Sequence, residues 1–119
     1  MKINIKATGI ELTTAIRSYL ETKLEPLKKL LGTKEEGAII QTELGKETKH
    51  HKHGEVFRAE INLSFAGKQL RAVATANDLY AAIDEVKDEL VQETKSGRSK
   101  AQSRVKRGAR AAKKLLTGN

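Results

Sequence analysis

The chain has 119 residues and a formal net charge of +8, with two Tyr, two Phe, no Trp and no cysteine. That length suits one domain with a modest aliphatic core and a short appendage. The lack of cysteine excludes a disulfide scaffold, a thiolate zinc site and a cysteine nucleophile.

Lys2–Ala7 (KINIKA) alternates strictly, with Ile3, Ile5 and Ala7 on one side, and reads as a half-buried strand. Thr8–Leu12 is a connection, and Thr13 is placed to cap a helix. Leu12, Ile16, Tyr19, Leu20, Leu24, Leu27 and Leu31 then recur at three- and four-residue steps, the stripe of an amphipathic helix. Pro26 should kink that helix or end its regular part, and Gly32 should stop it.

Ala38–Leu44 reads as a second strand, followed by a polar loop from Gly45 to Gly54. Glu55–Ala66 alternates again, with Phe57, Ala59, Ile61, Leu63 and Phe65 on one side. Ala66-Gly67-Lys68 predicts a tight hairpin turn, and Gln69–Ala76 returns as a fourth strand. Asn77 or Asp78 caps a second helix whose apolar face is Leu79, Ile83, Val86 and Leu90. The order β-α-β-β-β-α makes an α+β fold: a four-stranded sheet with two helices packed on one face, which buries every apolar stripe. The body spans 1–95, and Ser96-Gly97 opens a basic tail, 96–119.

The charge is unevenly placed. Residues 1–94 carry 14 Lys/Arg against 15 Asp/Glu, whereas residues 95–119 carry nine Lys/Arg and no acid. A near-neutral body with a cationic tail points to a polyanionic partner, nucleic acid or an anionic membrane. Val105, Ala109, Ala112 and Leu116 recur at helical steps in the tail, so a tail that is flexible or becomes helical on a partner is expected. Its only large apolar groups are Val105, Leu115 and Leu116, too few for firm membrane insertion. No apolar run approaches the roughly 20 residues of a membrane span. MKINIKATGIEL lacks a signal peptide's apolar segment, so a cytoplasmic protein is expected.

All three histidines, His50, His51 and His53, lie in KHHKHGE. The spacing can place two zinc ligands, but Lys49 and Lys52 would repel a cation, so a solvated loop is expected and no metal or other cofactor. Beside phosphate these imidazoles, with ordinary pKa near 6.5, would gain protons and act as auxiliary cations. Asp78 and Asp84 sit on one helix rather than across a cleft. Gly97, Gly108 and Gly118 are scattered and form no phosphate loop. Neither an enzyme nor a small-molecule substrate is expected.

The candidate RNA contacts are Arg17, Lys23 and Lys28 on the first helix, Arg71 on the polar sheet face and Lys87 on the second helix. Lys95, Arg98, Lys100, Arg104, Lys106, Arg107 and Arg110 join them from the tail. Counterion release makes such binding strongly salt-dependent. With few surface aromatics, recognition should run through RNA shape and backbone.

Two segments carry a family resemblance: INIKATGIELTTAIRSYLETKLEPLKKLL and FRAEINLSFAGKQLRAVATANDLYAAIDEVKDEL. Over about residues 1–92 the chain resembles the ribosome hibernation promoting factors, a family that includes the ribosome-associated inhibitor and is also called sigma-54 modulation protein. Asp78-Leu79-Tyr80-Ala81-Ala82-Ile83-Asp84 is the most specific piece, with Ile10-Glu11-Leu12-Thr13 and Ala15-Ile16-Arg17 as second anchor. The resemblance implies the fold above. It also implies binding to the small ribosomal subunit, its rRNA and neighbouring proteins, in the channel of messenger RNA and of A- and P-site transfer RNA. It implies a factor that is monomeric off the ribosome. Arg17 and Lys23 match basic positions of the family's first helix. Where the family carries a Lys and an Arg one turn apart on its second helix, this chain has Glu89 and Gln92, and the tail is expected to substitute for them. In length the chain resembles the family's short form, without a C-terminal dimerisation domain. The alternative reading is a double-stranded RNA-binding module, although the Asn77-Asp78-Leu79-Tyr80 helix start lacks the lysine cluster such modules carry.

Overall fold

A computed structural model describes residues 1–47 and 55–96. The histidine loop and the tail from Gly97 onward lie outside the described residues. In chain order the elements are β1 (Lys2–Thr8), α1 (Thr14–Lys23), α2 (Glu25–Leu31), a 3-10 helix (Gly32–Gly37), β2 (Ile39–Glu47), β3 (Val56–Phe65), β4 (Lys68–Ala76) and α3 (Leu79–Ser96).

The sheet order is β1-β2-β3-β4. β1 and β2 run parallel, as strands joined by a helical crossover can, and the β2–β3 and β3–β4 pairs are antiparallel. The register lines the core side chains up in rows across all four strands. One row is Ile3, Ile40, Leu63 and Leu70; the next is Ile5, Thr42, Ile61 and Ala72; the third is Ala7, Leu44, Ala59 and Ala74. Onto these rows pack Ile16 and Leu20 of α1, Leu24, Leu27 and Leu31 of α2 and its start, and Leu79, Ile83, Val86 and Leu90 of α3. Alternation sends the intervening residues to the opposite face, which no described element covers.

The expected α+β architecture is present, and its caps follow the sequence. Thr13 is extended, and its Oγ1 accepts from the Ile16 N–H at 3.1 Å. Asp78, rather than Asn77, caps α3, its Oδ2 accepting from Ala81 N–H at 3.4 Å. The first helical run is divided two residues ahead of Pro26. Leu24 has φ −86° and ψ −5° and separates α1 from α2, so Pro26 falls in the first turn of α2. There its missing N–H leaves no hydrogen bond unmade within α2. Gly32 ends α2 at φ +58°, a conformation a side chain resists.

The β3–β4 hairpin has two loop residues. Phe65 pairs with Lys68 across Ala66 and Gly67, whose φ values are +48° and +76°. Two consecutive positive φ angles are what a type I′ turn requires. Ala66 adopts this conformation despite its Cβ. In the core, Thr42 is 3% exposed, and its Oγ1 has no hydrogen-bond partner among the described residues.

Candidate nucleic-acid interface

Two surfaces can meet a partner, the outer side of the helices and the uncovered sheet face. On the helical side, the seam between α1 and α3 is closed by four side chains. Tyr19 OH donates to Asp84 Oδ1 at 2.7 Å, and Lys23 Nζ lies 3.3 Å from the same oxygen. The Lys23 ammonium sits 5.2 Å from the Tyr19 ring centroid. Tyr80 meets Tyr19 edge to face, with centroids 4.7 Å apart. The hydrogen bond from Tyr19 holds the Asp84 carboxyl below the usual carboxylate range. The hydrogen bond to Asp84 pushes both the Tyr19 hydroxyl and the Lys23 ammonium up. Lys23 therefore stays charged, but its charge faces a carboxylate of its own chain.

Other candidate cations are paired in the same way. Lys28 Nζ is 3.8 Å from Glu35, whose carboxylate also accepts from the Met1 amino group at 2.9 Å. Those bonds, the Met1 contact first, lower the Glu35 pKa. Lys87 Nζ contacts Asp88 at 2.6 Å. Arg17 and Lys95 are exposed and form no ion pair among the described residues. Across α1, α2 and α3 there are six Lys/Arg and seven Asp/Glu. The helical side is thus a mosaic of charges rather than a cationic plate.

Arg71 stands apart from these, on the uncovered sheet face. There Glu60 accepts from Arg58 Nη2 at 2.7 Å and Arg71 Nη2 at 3.0 Å on one oxygen, and from Asn62 Nδ2 at 2.9 Å on the other. These bonds, that from Arg71 foremost, bring the Glu60 pKa down to about 2. Arg58, Glu60 and Asn62 alternate along β3, so the chain pattern places them on one face, and the register of β4 adds Arg71. Sequence spacing carried a signal for the first three. For Tyr19 and Asp84, 65 residues apart, it carried none.

The structure therefore gathers Arg17, Lys23, Lys28, Lys87 and Lys95 on the helical side and leaves Arg71 on the other. Arg98, Lys100, Arg104, Lys106, Arg107 and Arg110 lie outside the described residues, as do His50, His51 and His53.

The family model described as Sigma 54 modulation protein / S30EA ribosomal protein matches residues 3–102. The ribosome hibernation promotion factor of Lactococcus lactis subsp. cremoris (strain MG1363) is 31% identical over 90 residues. Those residues are 76% of this chain and 45% of that protein, so the chain spans less than half of its relative. The crystal structure of the Thermus thermophilus Protein Y N-terminal domain superposes with a TM-score of 0.68 at 31% identity. The match covers 82% of this chain and all of that domain. A ribosomal subunit interface protein from Coxiella burnetii shares the fold, with a TM-score of 0.65 at 18% identity over 81% of this chain and 96% of that one.

Proposed function

This chain belongs to the Sigma 54 modulation protein / S30EA ribosomal protein family, and from that premise we propose that it is a ribosome hibernation factor. In this reading it binds the small ribosomal subunit in the mRNA and tRNA channel, over the A and P sites, and keeps idle ribosomes from translating. Its partners there are rRNA and neighbouring ribosomal proteins, and it is a cytoplasmic monomer when off the ribosome. No helix among the described residues is long and apolar enough to cross a membrane.

The observation that carries the proposal, beyond family membership, is the charge split. The body is near neutral and many of its cations face acids of the same chain, whereas residues 95–119 hold nine Lys/Arg and no acid. Affinity for phosphate should therefore concentrate in residues 95–119, with Arg17 as the readiest contribution from the rest of the body. Lys23, Lys28, Arg71 and Lys87 contribute only when RNA phosphate displaces or shares their carboxylate partners. The tail takes over what Glu89 and Gln92 do not supply on α3.

Sedimentation of the full chain with vacant ribosomes tests the proposal. Binding to small subunits at low salt that declines steeply as salt rises is expected, together with inhibition of in-vitro translation. Failure to bind vacant ribosomes overturns the reading. A gel shift of comparable affinity with plain duplex RNA would favour a general double-stranded RNA module instead.

A further inference from the structure

The uncovered sheet face holds a groove of about 380 Å³ between β3 and β4, lined by Asn62, Leu63, Ser64, Gln69, Leu70 and Arg71. The register explains its shape. Asn62 lies directly opposite Arg71, and Ser64 directly opposite Gln69. Four polar side chains thus stand at the corners of a rectangle about 5 Å across the strands and about 7 Å along them. Leu63 and Leu70 are buried on the other side of the sheet, so between the corners they present peptide planes. The floor is flat and the walls are polar.

Two of the corners are held in place. Asn62 Nδ2 and Arg71 Nη2 both donate to Glu60, which leaves the Asn62 carbonyl oxygen as an acceptor facing away from that carboxylate. The rest of the Arg71 guanidinium keeps its donors and its planar face. Ser64 and Gln69 form no side-chain hydrogen bond to any described residue, so a hydroxyl and a complete amide stay open to a ligand. The groove therefore offers donors and acceptors side by side over a flat floor, with one net cation, which Glu60 offsets. Phosphate alone is poorly served by that set. A flat heterocycle with mixed donors and acceptors on its edge fits it, and a volume at the low end of ligand pockets suits a small planar group.

We infer that the β3–β4 groove is a binding site for an unpaired nucleobase of the RNA this protein engages, its edge read by Asn62, Ser64 and Gln69, with Arg71 closing the end nearest Glu60. The inference rests on the ribosome-binding reading and adds to it a base-reading surface on the side of the molecule opposite the helices. It departs from the expectation of recognition by shape and backbone alone. Single-stranded loops are where RNA bases are splayed out for such contacts.

Two measurements on the full chain test it. Titration with each of the four nucleoside monophosphates, followed by amide chemical shifts, should give saturable changes confined to residues 62–64 and 69–71. Ribose 5-phosphate should leave those amides unmoved. The double variant Ser64→Ala with Gln69→Ala, which removes no charge, should weaken ribosome binding by about tenfold, as expected when a pair of hydrogen bonds is removed. The slope of affinity against salt should stay unchanged. Equal shifts from ribose 5-phosphate, or no shifts, overturn the inference. So does a variant that binds ribosomes as tightly as the wild type. Weaker ribosome binding without nucleotide shifts in the groove means that a protein fills it, which also overturns the inference. If the wild-type chain binds no ribosomes, the functional reading fails, and the nucleotide titration decides the groove separately.

Discussion

Replacing Glu60 by Gln keeps the shape of the side chain and removes the charge that Arg58 and Arg71 share. The Glu60 pKa falls from an ordinary 4.5 to about 2 in the folded chain. At 1.36 kcal/mol per pKa unit that corresponds to at most roughly 3 kcal/mol of stabilisation at neutral pH. The Arg71 side chain is 43% exposed, so solvent screening reduces the figure, and Gln retains part of the hydrogen bonding. A loss of about 1–2 kcal/mol is expected for Glu60→Gln at pH 7. The sign with pH follows from the direction of the shift. A carboxylate with a depressed folded pKa stabilises fully above its unfolded pKa, near 4.5, and loses that contribution as pH falls toward 2. Urea unfolding of both proteins at pH 7, 5, 4 and 3 should show a gap that is constant down to about pH 5 and then narrows. A gap of only a few tenths of a kcal/mol at pH 7, or one unchanged at pH 3, would refute the reasoning.

The core and the turns yield further expectations. Thr42→Val replaces a buried hydroxyl that has no described partner and should stabilise by about 1 kcal/mol in urea unfolding. Ala66→Asn converts the hairpin to Asn-Gly, the preferred type I′ pair, and should raise the thermal midpoint through about 0.5–1 kcal/mol of relieved strain. Leu20→Ala, at a position with no solvent exposure, should cost about 2–5 kcal/mol in the same assay. Deleting residues 97–119 removes eight Lys/Arg. The dependence of log K on log salt should then flatten by about 0.7–0.9 for each phosphate that the shortened chain leaves unneutralised. An unchanged slope in ribosome binding would remove the tail from the mechanism.

Much of the molecule follows from local pattern. The alternation in KINIKA and in FRAEINLSF sets which residues of β1 and β3 face the core, because side chains alternate strictly along a strand. The stripes in α1 and α3, the caps at Thr13 and Asp78 and the Ala66-Gly67 turn are equally local. So is the contrast between a near-neutral body and residues 95–119, which carry nine Lys/Arg and no acid. Near Pro26 the pattern was less decisive. The leucine stripe runs on from Leu20 to Leu31 with helical spacing, while the backbone breaks at Leu24 so that proline falls in a first turn, where its missing N–H is tolerated.

What only the tertiary structure decided is which charges meet. Arg71 and Lys23 read in the sequence as exposed cations free to contact phosphate. The register of β4 against β3 sets Arg71 beside Glu60, and the packing of α1 on α3 sets Lys23 and Tyr19 on Asp84. Strand order was beyond local pattern for the same reason, since β1 could have paired with β2 or with β4 without altering any alternation. Periodicity reports how one segment divides its own side chains between core and solvent. Ion pairs and grooves such as that between Asn62, Ser64, Gln69 and Arg71 depend on the register between segments, and register is set when the whole core closes.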